Sequence, residues 1–277
     1  MSPSRRLVLS SSAVLLVVGL VGCSGGGEEP PAEAPTTAQQ TSQAPEPEPT
    51  EAEPAAFGLT AENFAATLAQ AQAALSRQSL TMEMVSTSPA GDVTASAAVS
   101  AAADGTPEMV MVMAIPGVGD VEMRMVGGVV YMNMGELTGG GFLAFDPNDP
   151  ALGDVGMPTK VDPAADAAAL EGAIVSVEKA GPVETMDGVR VQPYDVVIDL
   201  TKVSGTAREA MDTAAEELAA AGQSLPPSTA YHYWIGEDGL IRRTVYELAG
   251  LRTEMTFSDW GEPVVVEAPT PDQIVEM

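Results

Sequence analysis

The sequence predicts an α+β fold in which one large antiparallel sheet curves into a half-barrel, with two or three helices on its concave face. About ten or eleven strand-like segments are joined by short turns rich in Gly, Pro and Asp, which favours pairing of successive strands as hairpins. Two or three amphipathic segments interrupt these strands and need an apolar surface, and one face of the sheet is the only candidate.

Three helices are expected, over about 61–77, 164–172 and 205–221. Thr60 can cap the first helix, and Gly222 stops the third. The first helix has one apolar stripe at i, i+4, i+7 and i+11, formed by Phe64, Leu68, Ala71 and Leu75. The third helix has a similar face, made of Ala207, Met211, Ala214, Leu218 and Ala221.

Strands are expected wherever β-branched or alternating apolar residues lie between turn residues. These segments are 80–85, 93–102, 108–115, 121–126, 129–134, 173–180, 182–186, 189–200, 229–235, 240–248 and 251–258, with a final extended piece at 263–267. Gly127-Gly128, Asp187-Gly188 and Ala249-Gly250 are turn dipeptides between neighbouring strands. The Gly- and Pro-rich passage 135–163 shows no strand pattern before its short helix.

Composition restricts the function. The chain has 12 Lys and Arg against 39 Asp and Glu, a formal charge of −27, which argues against unassisted binding to nucleic acid or to an anionic membrane surface. One Cys and one His exclude an intramolecular disulfide, a cysteine zinc site and a histidine metal cluster. No cofactor is therefore predicted, and the composition suggests a secreted protein that is not an enzyme.

Few residues are candidates for catalysis or metal binding. His232 is the best candidate for an enzyme site, but on a strand it is better explained as a sheet histidine with a local hydrogen bond. The acidic turn 146–149 could hold Ca²⁺ loosely, although it lacks the EF-hand spacing and a solvated turn explains it equally. Gly117 and Gly119 lack the third glycine of a nucleotide-binding loop.

Residues 1–22 are typical of an export signal, with Arg5 and Arg6 before an apolar stretch. Leu20-Val21-Gly22-Cys23 has the form of a lipobox, in which Cys23 receives a diacylglyceryl group and becomes the mature N-terminus. Residues 23–57 then form a linker that we expect to be disordered, because it is rich in Pro and Glu and lacks Lys and Arg. The folded domain is predicted over 58–277, held at the extracytoplasmic side of the cell membrane by the lipid.

Nine methionines concentrate in the first half of this domain and are the candidate ligand-cavity residues, together with Leu218. They are Met82, Met84, Met109, Met111, Met113, Met123, Met125, Met132 and Met134. Because methionine is flexible and polarisable, it suits a cavity for acyl chains. A plain packed core and a thioether site for Cu(I) are the alternatives. The strand 108–115 is apolar on both faces, which predicts that both are covered.

Three stretches resemble the LppX/LprA/LprF/LprG lipoproteins of actinobacteria. They are Gly141 to Pro147, Val177 to Leu200, and Tyr233 to Arg242 continued by Phe257 to Pro269. This resemblance implies a fold similar to the LolA/LolB half-barrel, with an apolar cavity between sheet and helices. Members of the family bind or carry acylated glycolipids, although the acidity of this chain argues against anionic lipid headgroups.

The sequence thus predicts a monomeric, membrane-anchored, surface-exposed lipoprotein that binds or carries a lipid or acylated glycolipid without catalysis. The alternative is a ligand-free interaction or sensor module at the cell surface with a packed core.

Overall fold

The computed structural model describes residues 53–75, 77–88, 91–101, 106–146, 163–220 and 222–275. Three α-helices are present in these ranges: α1 (Phe64–Leu75), α2 (Pro163–Glu171) and α3 (Gly205–Ala220). The strands are β1 (Leu80–Ser88), β2 (Gly91–Ala101), β3 (Pro107–Ile115), β4 (Gly119–Val126), β5 (Val129–Asn133), β6 (Leu143–Phe145), β7 (Ile174–Lys179), β8 (Glu184–Met186), β9 (Val189–Asp199), β10 (Ser228–Gly236), β11 (Ile241–Leu248) and β12 (Leu251–Ser258). Within the described ranges, no helix has the length and apolar character needed to span a bilayer.

The strands form one open antiparallel sheet of 12 strands, in the order β6-β5-β4-β3-β2-β1-β12-β11-β10-β9-β7, with β8 paired to β9. Most neighbours in the sheet are also neighbours in the chain, because short hairpins connect them. The pairing of β1 with β12 joins the N-terminal strands to the C-terminal strands. The predicted α+β half-barrel with two or three helices on its concave face is thereby confirmed.

We call the face that contacts the helices the inner face. Phe64 on α1 packs edge to face against Tyr233 on β10, with ring centroids 5.2 Å apart. Directly paired residues share a face of the sheet. Tyr233 pairs with Thr244, Thr244 with Met255, and Met255 with Met84 on β1, so all four lie on the inner face. His232 and Trp234, at the intervening positions of β10, lie on the opposite, outer face.

The main hydrophobic core lies between the helices and the C-terminal half of the sheet. Aromatic side chains dominate it: Tyr231 lies between Tyr233 and Tyr246, with ring centroids 5.8 Å and 5.0 Å away. The buried members of this cluster are Ala56, Phe57, Leu59, Phe64, Leu68, Ala173, Tyr194, Val196, Ile198, Leu200, Val203, Met211, Tyr231, Tyr233, Ile235, Tyr246 and Leu248. Among the described side chains of the predicted stripes, Phe64, Leu68 and Ala71 on α1 and Met211, Ala214 and Leu218 on α3 are buried, and Ala207 is half-buried. The side chains of Leu75 and Ala221 lie outside the described residues.

The three turn dipeptides have the geometry that the sequence predicts. Both residues of each dipeptide have positive φ; at Gly127 and Gly128 the values are 60° and 77°. A type I′ turn requires positive φ at both of its central residues, and its twist matches that of the flanking strands.

The folded part begins earlier than the predicted boundary at residue 58. Ala55–Phe57 form a short 3₁₀ helix, and the Phe57 side chain is wholly buried in the core. Glu53 Oε1 also accepts a hydrogen bond from Lys179 Nζ at 2.6 Å. The proline and glutamate content of the preceding segment obscured these contacts, of which the buried Phe57 is the largest apolar one.

The helix α1 begins later than the predicted residue 61. The helix begins at Phe64, and the Asn63 side chain accepts a hydrogen bond from the Thr60 N–H at 2.7 Å. The Thr60 carbonyl also accepts the Phe64 N–H at 3.0 Å, so Thr60 and Asn63 together form the turn that leads into the helix.

The structure differs from the prediction at one strand, β6, and at the segment 263–267. A short strand, β6, lies inside the Gly- and Pro-rich passage. The expected extended piece at 263–267 has no regular secondary structure. Instead, the end of the chain pairs beside β6, where Phe142 N donates to Gln273 O and Val275 N donates to Phe142 O. These contacts are long-range in sequence, and local pattern does not report them.

Candidate functional site

The inner face of β1 to β6 carries the predicted methionines in rows that cross the sheet. Eight of the nine lie on strands, and the register places all eight on the inner face. The central row is apolar across seven strands. Its members, in order across the sheet, are Phe257, Met82, Ala97, Met111, Met123, Met132 and Leu143.

A second and a third row flank the central row. One contains Leu80, Val99, Met109, Met125, Val130 and Phe145. The other contains Met255, Met84, Ala95, Met113 and Val121. In two of the rows a small alanine of β2 lies between longer methionines of β1 and β3. Small and long side chains thus alternate across β1, β2 and β3, and the two alanines are buried.

The methionine rows lie beside the aromatic core, not inside it. Met84 and Met123 are buried, at 6% and 9% exposure, whereas the other seven methionines are half-buried. None of the nine belongs to the buried core cluster described above. The described helices therefore pack on the C-terminal half of the sheet, and the methionine rows continue the same apolar face past them.

The outer face of β3 is not covered as predicted. Val112 on this face is 37% exposed, and its partners across the sheet, Ser96 and Glu122, are polar. Val112 thus remains in contact with solvent, as single exposed valines commonly do, while Val110 and Ala114 on the same face are half-buried. The prediction that β3 is covered on both faces was wrong.

The remaining candidates lie apart from the rows. Met134 follows β5 and precedes a 3₁₀ turn at 135–138. Leu218 is buried on α3, at 6% exposure. Cys23 and three of the four residues of the acidic turn 146–149 lie outside the described residues.

His232 lies on the outer face, away from the methionines. Its Nδ1 is 2.5 Å from Asp195 Oδ1 on the neighbouring strand β9, and both side chains are about half exposed. This is the local partner that the sequence predicted for a sheet histidine. In the part of the chain that the structure describes, no group of three or more His, Cys, Asp and Glu could hold a metal ion.

Sequence reasoning missed a second feature, a cleft of about 520 Å³ at the end of α1. It lies between α1, the β10–β11 turn and the residues after β12. Its lining comprises Gln70, Ala71, Ala74, Gln78, Val189, Asp238, Gly239, Leu240, Arg242 and Trp260. No local motif marks it, because the residues come from four separate segments; the only signal in the sequence is an arginine and a tryptophan in otherwise acidic, aliphatic surroundings.

Several solved structures align with this open antiparallel sheet and its helices. LprF from Mycobacterium bovis aligns over 76% of this chain and 96% of its own, at 16% identity and a TM-score of 0.45. The lipoprotein LppX from Mycobacterium tuberculosis aligns over 73% and 97%, at 17% identity and a TM-score of 0.45. MucB in complex with MucA, from Pseudomonas aeruginosa, aligns over 77% and 59%, at 14% identity and a TM-score of 0.38.

These likenesses concern the fold alone. LprF and LppX are among the lipoproteins that the sequence resembles. No protein-family model matches the chain, and no curated protein matches it in sequence.

Proposed function

We propose that this chain is a lipoprotein anchored at the extracytoplasmic side of the membrane, and that it binds or carries a lipid or acylated glycolipid on its methionine rows. The observation that carries the proposal is the apolar inner face of β1 to β6, which continues past the described helices and is built mainly of methionine. In this proposal residues 1–22 are removed as a signal, Cys23 carries the acyl anchor, and the linker after it holds the folded part off the membrane.

Physical chemistry favours acyl chains as the ligand of these rows. Removing apolar surface from water contributes a favourable free energy of roughly 25 cal/mol for each Å². An acyl chain bound on the methionine rows would therefore be stabilised by covering the apolar surface that the helices do not contact. Methionine changes rotamer easily and fits chains of different length. The rows contain no charged residue, so the burial of apolar surface would hold the acyl chain.

The test replaces one methionine at the centre of the rows. Met111 and Val112 are neighbours on β3 and lie on opposite faces of the sheet, so Met111→Glu places a charge among the rows while Val112→Glu places the same charge in solvent. The full chain would be purified without detergent from an actinobacterial host, and its organic-solvent extract analysed by mass spectrometry. We expect a stoichiometric acylated species from the wild-type chain and from Val112→Glu, and its loss from Met111→Glu.

A clean extract from the wild-type chain, with no uptake of a fluorescent fatty acid, would overturn the proposal. It would leave a packed, ligand-free module at the cell surface. Circular dichroism of both variants shows whether the sheet is intact, because a charge on a half-buried face can also destabilise the fold.

The anchor is tested separately. Cys23 is the only cysteine, so Cys23→Ser removes the single thiol that can carry the acyl groups. Two or three acyl chains give stable membrane attachment, and we expect the variant to appear in the soluble fraction after a carbonate wash while the wild-type chain stays with the membranes. A variant that remains membrane-bound would contradict lipidation at this residue.

A further inference from the structure

The cleft at the end of α1 contains a buried arginine whose hydrogen bonds are incomplete. The Arg242 side chain is only 6% exposed, and its Nη2 donates to Asp238 Oδ2 at 2.6 Å. Its Nη1 is buried and has no hydrogen-bond partner among the described residues. Asp238 Oδ1 already accepts the Leu240 N–H at 3.1 Å.

A second buried donor lines the same cleft. The indole Nε1 of Trp260 is also buried without a partner in the described part of the chain. The Trp260 ring centroid lies 5.9 Å from Arg242 Cζ, so the two side chains are held against each other. Buried N–H groups in folded proteins are almost always paired, and two unpaired donors in one cleft therefore indicate a missing acceptor.

The ion pair of Arg242 and Asp238 lies close to the backbone at Gly236. A Cβ at Gly236 would meet Asp238 Oδ1 and would lie 3.4 Å from Arg242 Nη1. A side chain at this position would require the Asp238 carboxylate to move. The absence of a side chain at Gly236 therefore accommodates the Asp238 carboxylate that pairs with Arg242.

We propose that this cleft binds a single carboxylate group of a small ligand, with Arg242 Nη1 and Trp260 Nε1 as the donors. A guanidinium donor gives charge-assisted hydrogen bonds to a carboxylate that are roughly twice as strong as those to a neutral oxygen. Asp238 already neutralises most of the arginine charge, and the chain carries −27 overall. A dianionic phosphate would bring two charges beside Asp238, so one negative charge fits better than two.

The rest of the lining suits a small organic acid. Gln70 and Gln78 supply amide groups, while Ala71, Ala74 and Leu240 supply apolar surface. A volume of about 520 Å³ lies within the usual range for small-molecule sites. The carboxylate can come from a free fatty acid or from a water-soluble acid. No lining residue belongs to the methionine rows, so this proposal and the proposed lipid site can fail independently.

The test uses the full chain and the fluorescence of Trp260. The chain has two tryptophans, and Trp234→Phe on the outer face leaves Trp260 as the only emitter. The probes are octanoate, acetate, octanol and inorganic phosphate. We expect saturable changes of emission with a carboxylate and none with octanol or phosphate. Tighter binding of octanoate than of acetate identifies a fatty acid as the source, and equal binding identifies a water-soluble acid; both results support the carboxylate site.

Variants assign the donors. Arg242→Gln removes the guanidinium, and we expect carboxylate affinity to fall about tenfold or more. Arg243→Gln is the matched control, since Arg243 is the next residue, lies on the outer face and pairs with Glu254 at 2.7 Å; its affinity should be unchanged. Trp260→Phe keeps the ring without the N–H and should weaken binding about threefold to tenfold by calorimetry.

Three results would overturn the proposal. These are the absence of saturable carboxylate binding, octanol or phosphate binding as tightly as octanoate, and an Arg242→Gln variant that folds and keeps wild-type affinity. Trp260→Phe retains an aromatic ring of similar shape. If Arg242→Gln does not fold, unchanged affinity in Trp260→Phe would overturn the proposal instead.

Discussion

Tyr194 shows how one residue attaches the N-terminal segment to the sheet. It is wholly buried on β9. Its hydroxyl donates to Ala56 O at 3.0 Å and accepts from the Leu59 N–H at 3.3 Å. The two bonds satisfy backbone groups on both sides of Gly58. The Tyr194 hydroxyl therefore helps to hold the segment that leads from the linker into α1, together with the buried Phe57.

Removal of this hydroxyl should destabilise the fold. Tyr194→Phe leaves the Leu59 N–H and the Ala56 carbonyl without their partner, and we expect the free energy of unfolding to fall by about 1–3 kcal/mol, measured by urea denaturation. Tyr131→Phe is the control, because Tyr131 lies half-buried on the outer face of β5, and its effect should stay within about 0.5 kcal/mol. Equal effects of the two substitutions would show that the Tyr194 hydrogen bonds do not stabilise the fold.

At the scale of elements, the end of the chain is held to the sheet beside β6. Phe142 is nearly fully buried, at 3% exposure, and it exchanges backbone hydrogen bonds with Gln273 and Val275. On β4, Arg124 Nη1 donates to Glu267 O at 3.0 Å, and its guanidinium lies over the Phe142 ring at 5.1 Å. The last residues thus contact the sheet edge without forming a regular strand.

This attachment depends on the small size of Gly141. A Cβ there would lie 2.5 Å from Val275 Cγ1 and 3.0 Å from Gln273 O. Gly141→Ala should displace the end of the chain and lower the free energy of unfolding by about 1–3 kcal/mol. Hydrogen exchange at the Phe142 and Val275 amides measures the displacement. Gly172→Ala is the control, because no heavy atom lies within 4 Å of a Cβ at this position; in this variant the two amides should exchange as slowly as in the wild-type chain. Equally slow exchange in Gly141→Ala would contradict the prediction.

The elements that the sequence predicted are those determined by neighbouring residues. Alternation located the strands of the inner face, and dipeptides such as Gly127-Gly128 located the turns, because both signals are local. The strand β6 pairs with the nearby β5 but lies in a Gly- and Pro-rich passage that hides its pattern. The pairing of Phe142 with the chain end joins residues more than one hundred positions apart. The register placed the methionines on one face as their spacing indicated, whereas the cleft of Arg242 and Trp260 required the tertiary fold.

At the scale of the molecule, the two halves of the sheet differ in how they are packed. The C-terminal half is closed by α1, α2 and α3 over an aromatic core, and the N-terminal half presents methionine and alanine. Aromatic side chains give large buried area with fixed geometry, while methionine gives an adaptable surface. One half therefore supports the fold, and the other half is suited to contact a ligand of variable shape.

The aromatic core also makes the stability of the whole molecule decrease at alkaline pH. Burial raises the pKa of Tyr231, Tyr233 and Tyr246 above the ordinary value for tyrosine, and burial raises that of Tyr194 as well. The unfolded chain releases these protons near pH 10, whereas the folded chain retains them. The folded state then binds more protons, so stability is fully present below about pH 10 and is lost as pH rises.

Above that pH, each of these tyrosines removes at most about 1.4 kcal/mol of stability per pH unit, and the four together about 5 kcal/mol, which is comparable to the total stability of a typical domain. We therefore expect cooperative unfolding within roughly one to two pH units above pH 10. Tyrosinate absorbance and far-ultraviolet circular dichroism, followed together, should show the core tyrosines ionising only as the sheet unfolds. Tyr231→Phe should make the loss of stability with pH less steep. Ionisation of all the tyrosines before any loss of sheet signal would mean that the aromatic core is open to solvent.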